Sequence, residues 1–323
     1  MIECSVVIPT YRRPCLLERC LGALAQQSMS ADRYEIIVAD DAADGTTARC
    51  VATWRERGLP VRHLPVAGPR HGPAAARNAG GREARGWLVA FTDDDTVPDA
   101  EWLRRAHAVF EMRPDLDAAH GRVVVPLPND PTDYERDAAG LEDAGFVTAN
   151  CFVRREILEA LGGFDECFSE AWREDTDLFF RLLTTGRRVE RVSGAVVVHP
   201  VRAAKWGVSV RQQRKAAFDA LLYKKHPTLF IRYVRPGRPT LYYPAVIALA
   251  AVVVGAVTGT VGVLAGGGAT WAALTGTIAA RRLRNSSHAP RHVAEMVLTS
   301  SVIPPLSLFW RVRGALRYRV CFW

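Results

Sequence analysis

Three consecutive carboxylates close a short apolar run, Trp87-Leu88-Val89-Ala90-Phe91-Thr92-Asp93-Asp94-Asp95, and this junction limits the fold more than any other stretch of the chain. Five apolar residues in a row read as a buried strand, whereas three adjacent acids cannot share its core, because burying unpaired charge is too costly. The acids therefore belong at the mouth of a sheet. In extended backbone Asp93 and Asp95 project to one side and Asp94 to the other, so the outer two can converge on one divalent cation. An acidic loop, or the lead-in to a helix opened by Pro98-Asp99-Ala100-Glu101, accounts for the same residues without a ligand. The rest of the chain has to separate these readings.

Upstream, Ser5-Val6-Val7-Ile8 is a buried strand closed by Pro9-Thr10, and Leu16, Leu17, Cys20, Leu21 and Leu24 recur at helical spacing. Glu35-Ile36-Ile37-Val38-Ala39 forms a second strand ending in Asp40-Asp41. A helix follows over about 47–57, and Val61-Arg62-His63-Leu64 makes a third strand. This β-α-β-α-β rhythm predicts a doubly wound, mostly parallel sheet with its ligand site at the carboxyl ends of the strands. The first strand runs into Pro9-Thr10-Tyr11-Arg12-Arg13 with no G-x-G-x-x-G, and no G-x-x-x-x-G-K-[ST] occurs anywhere. Dinucleotide dehydrogenases and P-loop NTPases lose their support. His71-Gly72-Pro73-Ala74-Ala75-Ala76-Arg77-Asn78-Ala79-Gly80 is a small-residue helix start. It can lie tightly on the sheet, with Arg77 either facing an anionic ligand or simply solvated.

Taken together, Val6-Val7-Ile8-Pro9-Thr10-Tyr11, Val38-Ala39-Asp40-Asp41 with Asp44-Gly45-Thr46, Ala75-Ala76-Arg77-Asn78-Ala79-Gly80 and Phe91-Thr92-Asp93-Asp94-Asp95 come in the order and spacing of family 2 glycosyltransferases. The chain resembles an inverting, GT-A-type nucleotide-sugar transferase. The resemblance implies a nucleotide-diphosphate sugar across the strand ends, contacted by Pro9, Thr10, Tyr11, Arg13, Asp41, Arg77, Asp93 and Asp94. It also implies a divalent metal, Mn²⁺ or Mg²⁺, on Asp93 and Asp95, with His199 as a further ligand at the end of the strand Val196-Val197-Val198.

Downstream, residues 118–125 read as a strand and 126–144, rich in Pro and Asp, as a mobile loop near the acceptor. Phe146 to Val153 reads as another strand, leading to a helix around 154–161 and to Gly162-Gly163-Phe164-Asp165-Glu166, a turn that also resembles the family. Trp172-Arg173-Glu174-Asp175-Thr176-Asp177 opens a helix with three acids. Helix-dipole complementarity alone favours acids there. An inverting transferase, however, needs a carboxylate to take the acceptor's proton. The resemblance puts that base on Asp175, with Asp177 in reserve and Glu174 supporting or contacting the acceptor.

The chain's formal charge of +8 lies mostly late, around 202–238, 281–291 and 311–319, flanking apolar segments. That placement fits an anionic membrane surface better than nucleic acid, which is excluded as a partner. Seven cysteines without framework spacing read as reduced thiols in a cytosolic compartment, and the start of the chain lacks the pattern of a signal peptide. Residues 206–225 predict one basic amphipathic helix. Residues 239–280 hold no charged residue and are long enough for a two-helix membrane hairpin at 240–280, turning at Gly259 or at Gly266-Gly267-Gly268. Arg232, Arg235 and Arg238 before it and Arg281, Arg282 and Arg284 after it put both ends in the cytosol. A buried helical pair of a soluble domain fits the same stretch. Residues 293–310 read as an interfacial or re-entrant segment.

The expectation is a GT-A-type catalytic domain at 1–230, with a nucleotide-sugar half at 1–117 and an acceptor half at 118–230, followed by a helical membrane-associated region at 231–323. Its expected function is inverting transfer of a sugar to a glycan or lipid-linked acceptor in cell-envelope synthesis, by a cytoplasmic domain at the cell membrane. The alternatives are an inert transferase-like membrane scaffold and a sugar-phosphate nucleotidyltransferase. The second would call for a Gly-rich basic loop where Pro9-Thr10-Tyr11 stands.

Overall fold

The computed structural model describes residues 1–66, 68–69, 71–234 and 240–321. Its eight described strands form one sheet in the order β3-β2-β1-β4-β7-β6-β8-β5, in which β1 is Cys4–Thr10, β2 Tyr34–Asp40, β3 Val61–Pro65, β4 Leu88–Phe91, β5 Val97–Pro98, β6 Ala118–Val124, β7 Cys151–Arg154 and β8 Val189–Val198. The first half pairs in parallel: β1 with β2 and β4, and β2 with β3. The sheet as a whole is mixed, since β7 runs antiparallel to both β4 and β6, and β5 antiparallel to β8.

Continuous burial explains the central strands. Every residue of β2 and β4 is buried, as expected of strands covered on both faces. Helix α1 (Pro14–Leu24) starts with proline at its first turn, where a missing N–H costs nothing, and buries Leu17, Cys20, Leu21 and Leu24. Helix α2 (Gly45–Glu56) is capped by Asp44, whose carboxylate accepts from the backbone N–H of Thr46 and Thr47. Helix α3 (Pro73–Arg82) lies so close to β1 that a Cβ on Gly80 would fall 2.4 Å from Val7, which is why its small residues are needed.

Several boundaries differ from expectation. The acids at 93–95 lie in a turn, closed by the Thr96 N–H to Asp93 O bond at 3.2 Å, not on an extended strand. Pro98 belongs to β5, so helix α4 begins only at Trp102 and runs to Met112. The strand expected over 146–153 is shortened to β7, because residues 148–150 turn to let the Asn150 amide donate to Arg122 O and Ala195 O while its oxygen accepts from Trp102 Nε1. The stretch expected to be a loop at 126–144 contains helix α5 (Asp133–Ala139), opened by a capping box in which Thr132 and Glu135 bond each other's backbone N–H. Helices α6 (Arg155–Ala160) and α7 (Glu174–Thr184) follow.

The chain divides into two compact units, Met1–Pro126 with Ala139–Arg202, and Leu127–Ala138 with Ala203–Trp323. This division falls at Arg202 and not near residue 230. The predicted helix 206–225 is broken into α8 (Val208–Gln212), a 3₁₀ turn and α9 (Ala216–Lys225), before α10 (Pro227–Tyr233). Helix α9 packs on the last helix, α13 (Pro290–Tyr318), whose Gly314 would place a Cβ 2.5 Å from Ala217 O. The second unit therefore starts well before the apolar hairpin. That hairpin is α11 (Tyr242–Thr258) and α12 (Val261–Leu283), turning at Gly259 in left-handed backbone. Gly255 sits against the Leu264 backbone and Gly267 against Ala248 and Val252, a close approach only small residues permit. Residues 293–310 belong to α13, which continues through Pro304 and Pro305 as one helix. Helices α12 and α13 are both long and apolar enough to cross a membrane. Arg282 gathers this unit, donating to Asp133, Ser209, Thr299 and Ser300. Arg235 and Arg238, expected to flank the hairpin, lie outside the described residues.

Candidate active site

The turn after β4 separates the three acids. Asp93 and Asp95 point toward His199, which follows β8 and is held by its N–H on Val124 O at 2.8 Å. One ligand atom from each of Asp93, Asp95 and His199 falls within 4.8 Å of the other two. Asp94 turns the other way, as expected, but it is buried: its carboxylate accepts from Thr10 Oγ1 at 2.8 Å and Arg13 Nη1 at 3.3 Å. Burial pushes Asp94 up to about 6, against the pull of Arg13. Asp94 thus ties the end of β1 to the turn, and engages two residues expected to contact the nucleotide. Pro9 stays within β1, and Tyr11 is exposed beyond it.

Arg77, expected near the base or the phosphates, lies beside Asp93. From the buried face of α3 its Nη2 donates to Asp93 Oδ1 at 2.7 Å and its Nη1 to Glu174 Oε1 at 2.9 Å. Burial would raise the Asp93 pKa, but Arg77, His199 and Arg202 outweigh it and hold the carboxyl below its ordinary value. The neighbouring Asn78 has a different task. Its amide donates to Phe164 O and Glu166 Oε1, and its oxygen accepts from Phe164 N. Gly163 is in left-handed backbone, and a Cβ there would meet Asn78 Oδ1 at 2.4 Å. The Gly162-Gly163-Phe164-Asp165-Glu166 turn is therefore moulded on Asn78.

On α7, Arg173 holds the left-handed conformation just before the helix. Glu174 is buried against Arg77, and its Oε2 has no hydrogen-bond partner. Burial, then the adjacent Asp175, raise the Glu174 pKa against Arg77. Half-buried Asp175 accepts from Thr176 N and Oγ1 on Oδ1 alone, and burial raises its pKa too. Asp177, the reserve base, is fully buried. It pairs with Arg181 at 2.9 Å, whose Nη groups hold Leu161 O and Gly163 O, so its work is to brace the glycine turn.

Asp41 accepts from Gly72 N at 2.9 Å and lies 3.0 Å from His71 Nδ1. The sequence reading missed His71 and also Arg202, whose Nε lies 2.9 Å from Asp95 Oδ2.

The donor set of two carboxylates and an imidazole suits Mn²⁺ or Mg²⁺. The buried Asp95 has the Arg202 guanidinium 2.9 Å away, so positive charge already compensates this carboxylate.

The model described as "Glycosyl transferase family 2" matches residues 5–162, and that described as "Glycosyl transferase family group 2" matches residues 88–281. The chain belongs to the family 2 glycosyltransferases. It is 26% identical over 269 residues to validoxylamine A glucosyltransferase of Streptomyces hygroscopicus subsp. jinggangensis, covering 70% of this chain and 61% of that protein. Glycosyltransferase AglE of Haloferax volcanii is 28% identical over 170 residues, covering 50% and 55%. The chain thus spans about six-tenths of the length of these curated relatives. In fold it is similar to mannosyltransferase PcManGT from Pyrobaculum calidifontis, solved with GDP-Man and Mn²⁺, at a TM-score of 0.54 and 21% identity over 98% of this chain and 87% of that one. TarS of Staphylococcus aureus with UDP gives 0.53 at 15% identity, over 94% and 90%. These neighbours share the GT-A architecture.

Proposed function

We propose that the chain transfers a sugar from a nucleotide-diphosphate sugar to an acceptor hydroxyl with inversion at C1. The observation that carries this reading is Arg77, which joins a metal-ready carboxylate, Asp93, to the buried acid beside Asp175 through one guanidinium. Donor-side and acceptor-side acids are held at fixed separation, as a single displacement requires. Asp93, Asp95 and His199 would hold a divalent ion, which when bound supplies positive charge against the leaving diphosphate. Asp175 takes the acceptor's proton on Oδ2, since Thr176 occupies Oδ1. The acceptor oxygen forms its bond to C1 while the C1–O bond to the diphosphate breaks, and the nucleoside diphosphate leaves with the electron pair. Asp41, just past β2, and His71, just before α3, receive the base.

The neighbours' GDP-Man and UDP support a nucleotide-bound donor, and the glucosyl- and mannosyltransferase relatives support a hexose. Helices α12 and α13 support attachment of the second unit to a membrane, with a lipid-linked or envelope glycan as acceptor. The test is incubation with UDP-, GDP- and dTDP-sugars and Mn²⁺ or Mg²⁺, reading nucleoside diphosphate release and the product's anomeric configuration by NMR. Release of nucleoside diphosphate with an inverted product is expected. Retention at C1, or release of pyrophosphate from a nucleoside triphosphate and sugar phosphate, would overturn the proposal.

A further inference from the structure

Two guanidinium groups already stand on the carboxylates read as metal ligands, and they are held very differently. Arg77 is 3% exposed, and each of its Nη atoms has a carboxylate partner, Asp93 on one side and Glu174 on the other. Moving it would strand a buried charge, so it stays. Arg202 is 42% exposed and reaches Asp95 with Nε at 2.9 Å, just beyond the end of β8. Asp95 is buried, with His199 Nε2 3.6 Å from its other oxygen and Arg19 donating to its backbone carbonyl. A divalent ion held by Asp95 and His199 and a guanidinium on the other oxygen of the same carboxylate are like charges a few ångströms apart, and they repel in a buried setting. Arg202 is the one free to leave.

Its destination follows from what surrounds it. Asp94 is occupied by Thr10 and Arg13, and Asp93 Oδ1 by Arg77. The anion that arrives with the cation is the donor's diphosphate, and a planar guanidinium fork matches phosphate oxygens in pairs. We propose that Arg202 is a diphosphate-binding residue, parked on Asp95 until the divalent ion displaces it. This rests on the reading of Asp93, Asp95 and His199 as metal ligands. Arg202 then makes metal binding weaker in the absence of donor and tighter in its presence, so cation and diphosphate bind cooperatively.

The experiment is a Mn²⁺ titration of the full chain followed by electron paramagnetic resonance, with and without inorganic pyrophosphate, on the wild type, Arg202→Gln, Arg202→Lys and Asp95→Asn. Arg202→Gln should bind Mn²⁺ alone about three- to tenfold more tightly, because the competing charge is gone. With Mn²⁺ saturating, it should bind pyrophosphate roughly ten- to hundredfold more weakly. Arg202→Lys keeps the charge and loses the fork; it should bind Mn²⁺ alone like the wild type and pyrophosphate more weakly. If Mn²⁺ binds the wild type and not Asp95→Asn, while Arg202→Gln matches the wild type in both titrations, the metal site stands and the role of Arg202 is overturned. If the wild type binds no Mn²⁺ with or without pyrophosphate, the metal reading fails and this proposal fails with it.

Discussion

The turn at Asp93-Asp94-Asp95 and the helix start at Glu174-Asp175-Thr176-Asp177 each crowd three acids into a few residues, and they sort them by different geometry. In the turn, the first and third acids come together with His199 and the middle one turns to Thr10 and Arg13. On α7, Glu174 turns inward to Arg77, Asp175 stays half-exposed, and Asp177, two residues on and so on another face, braces Arg181. Each cluster spends one acid on tying it to a neighbouring segment, β1 for Asp94 and the glycine turn for Asp177. An acidic cluster therefore marks a site without saying which member does the chemistry.

The comparison breaks most readily at Asp175. Replacing it by Asn should lower kcat by about 10²–10⁴, the usual worth of a positioned base, and leave donor affinity unchanged in calorimetry. Full activity in that variant would return Asp175 to the rank of a helix-terminal acid.

Arg77 is where the two clusters meet, and its loss should cost stability as well as rate. Arg77→Met leaves Asp93 and Glu174 without their shared guanidinium, and should destabilise the fold by roughly 3–5 kcal/mol in urea unfolding. A loss under about 1 kcal/mol would mean that the bridge is dispensable and the clusters are independent.

The clusters should also separate by pH. Burial raises the Asp175 pKa, so the proposed base gains its proton at a higher pH than an ordinary aspartate would. Activity should therefore fall on the acid side at a pH above the ordinary aspartate value of about 4, and be complete above that limb. A kcat profile flat down to pH 4 would place the base elsewhere.

How far these assignments were legible follows from local physics. The β-α-β rhythm and the place of the acids at the sheet's mouth write themselves into short stretches of sequence, because burial acts locally, whereas the turn of those acids and the capping role of Asp44 appear only in the fold. The capping box Thr132–Glu135 was equally local, but the Pro- and Asp-rich surroundings of 126–144 masked it as a loop. Asp177 and Arg181 stand at i and i+4 on α7, a spacing that signals an ion pair and argues against a free base. The place of Arg77 was not readable, because its two partners lie 16 and 97 residues away and only the folded sheet brings them together. Arg202 lies in irregular backbone past β8, where no periodicity says which way a side chain turns.

The smallest effect belongs to Asp94, and it is the sharpest test of how the turn divides its acids. Asparagine keeps the shape and can still accept from Thr10, and the ion pair it weakens is with Arg13, whose side chain is 42% exposed. Asp94→Asn should therefore change stability by less than about 1 kcal/mol and Mn²⁺ affinity by less than about threefold. Asp95→Asn removes the charge of a proposed ligand and should weaken Mn²⁺ at least about tenfold. If the two variants weaken Mn²⁺ alike, the middle acid is a ligand and the turn opens in solution. If only Asp95→Asn does, the alternation holds: two acids face the cation, and the one between them pins β1 to the turn that presents them.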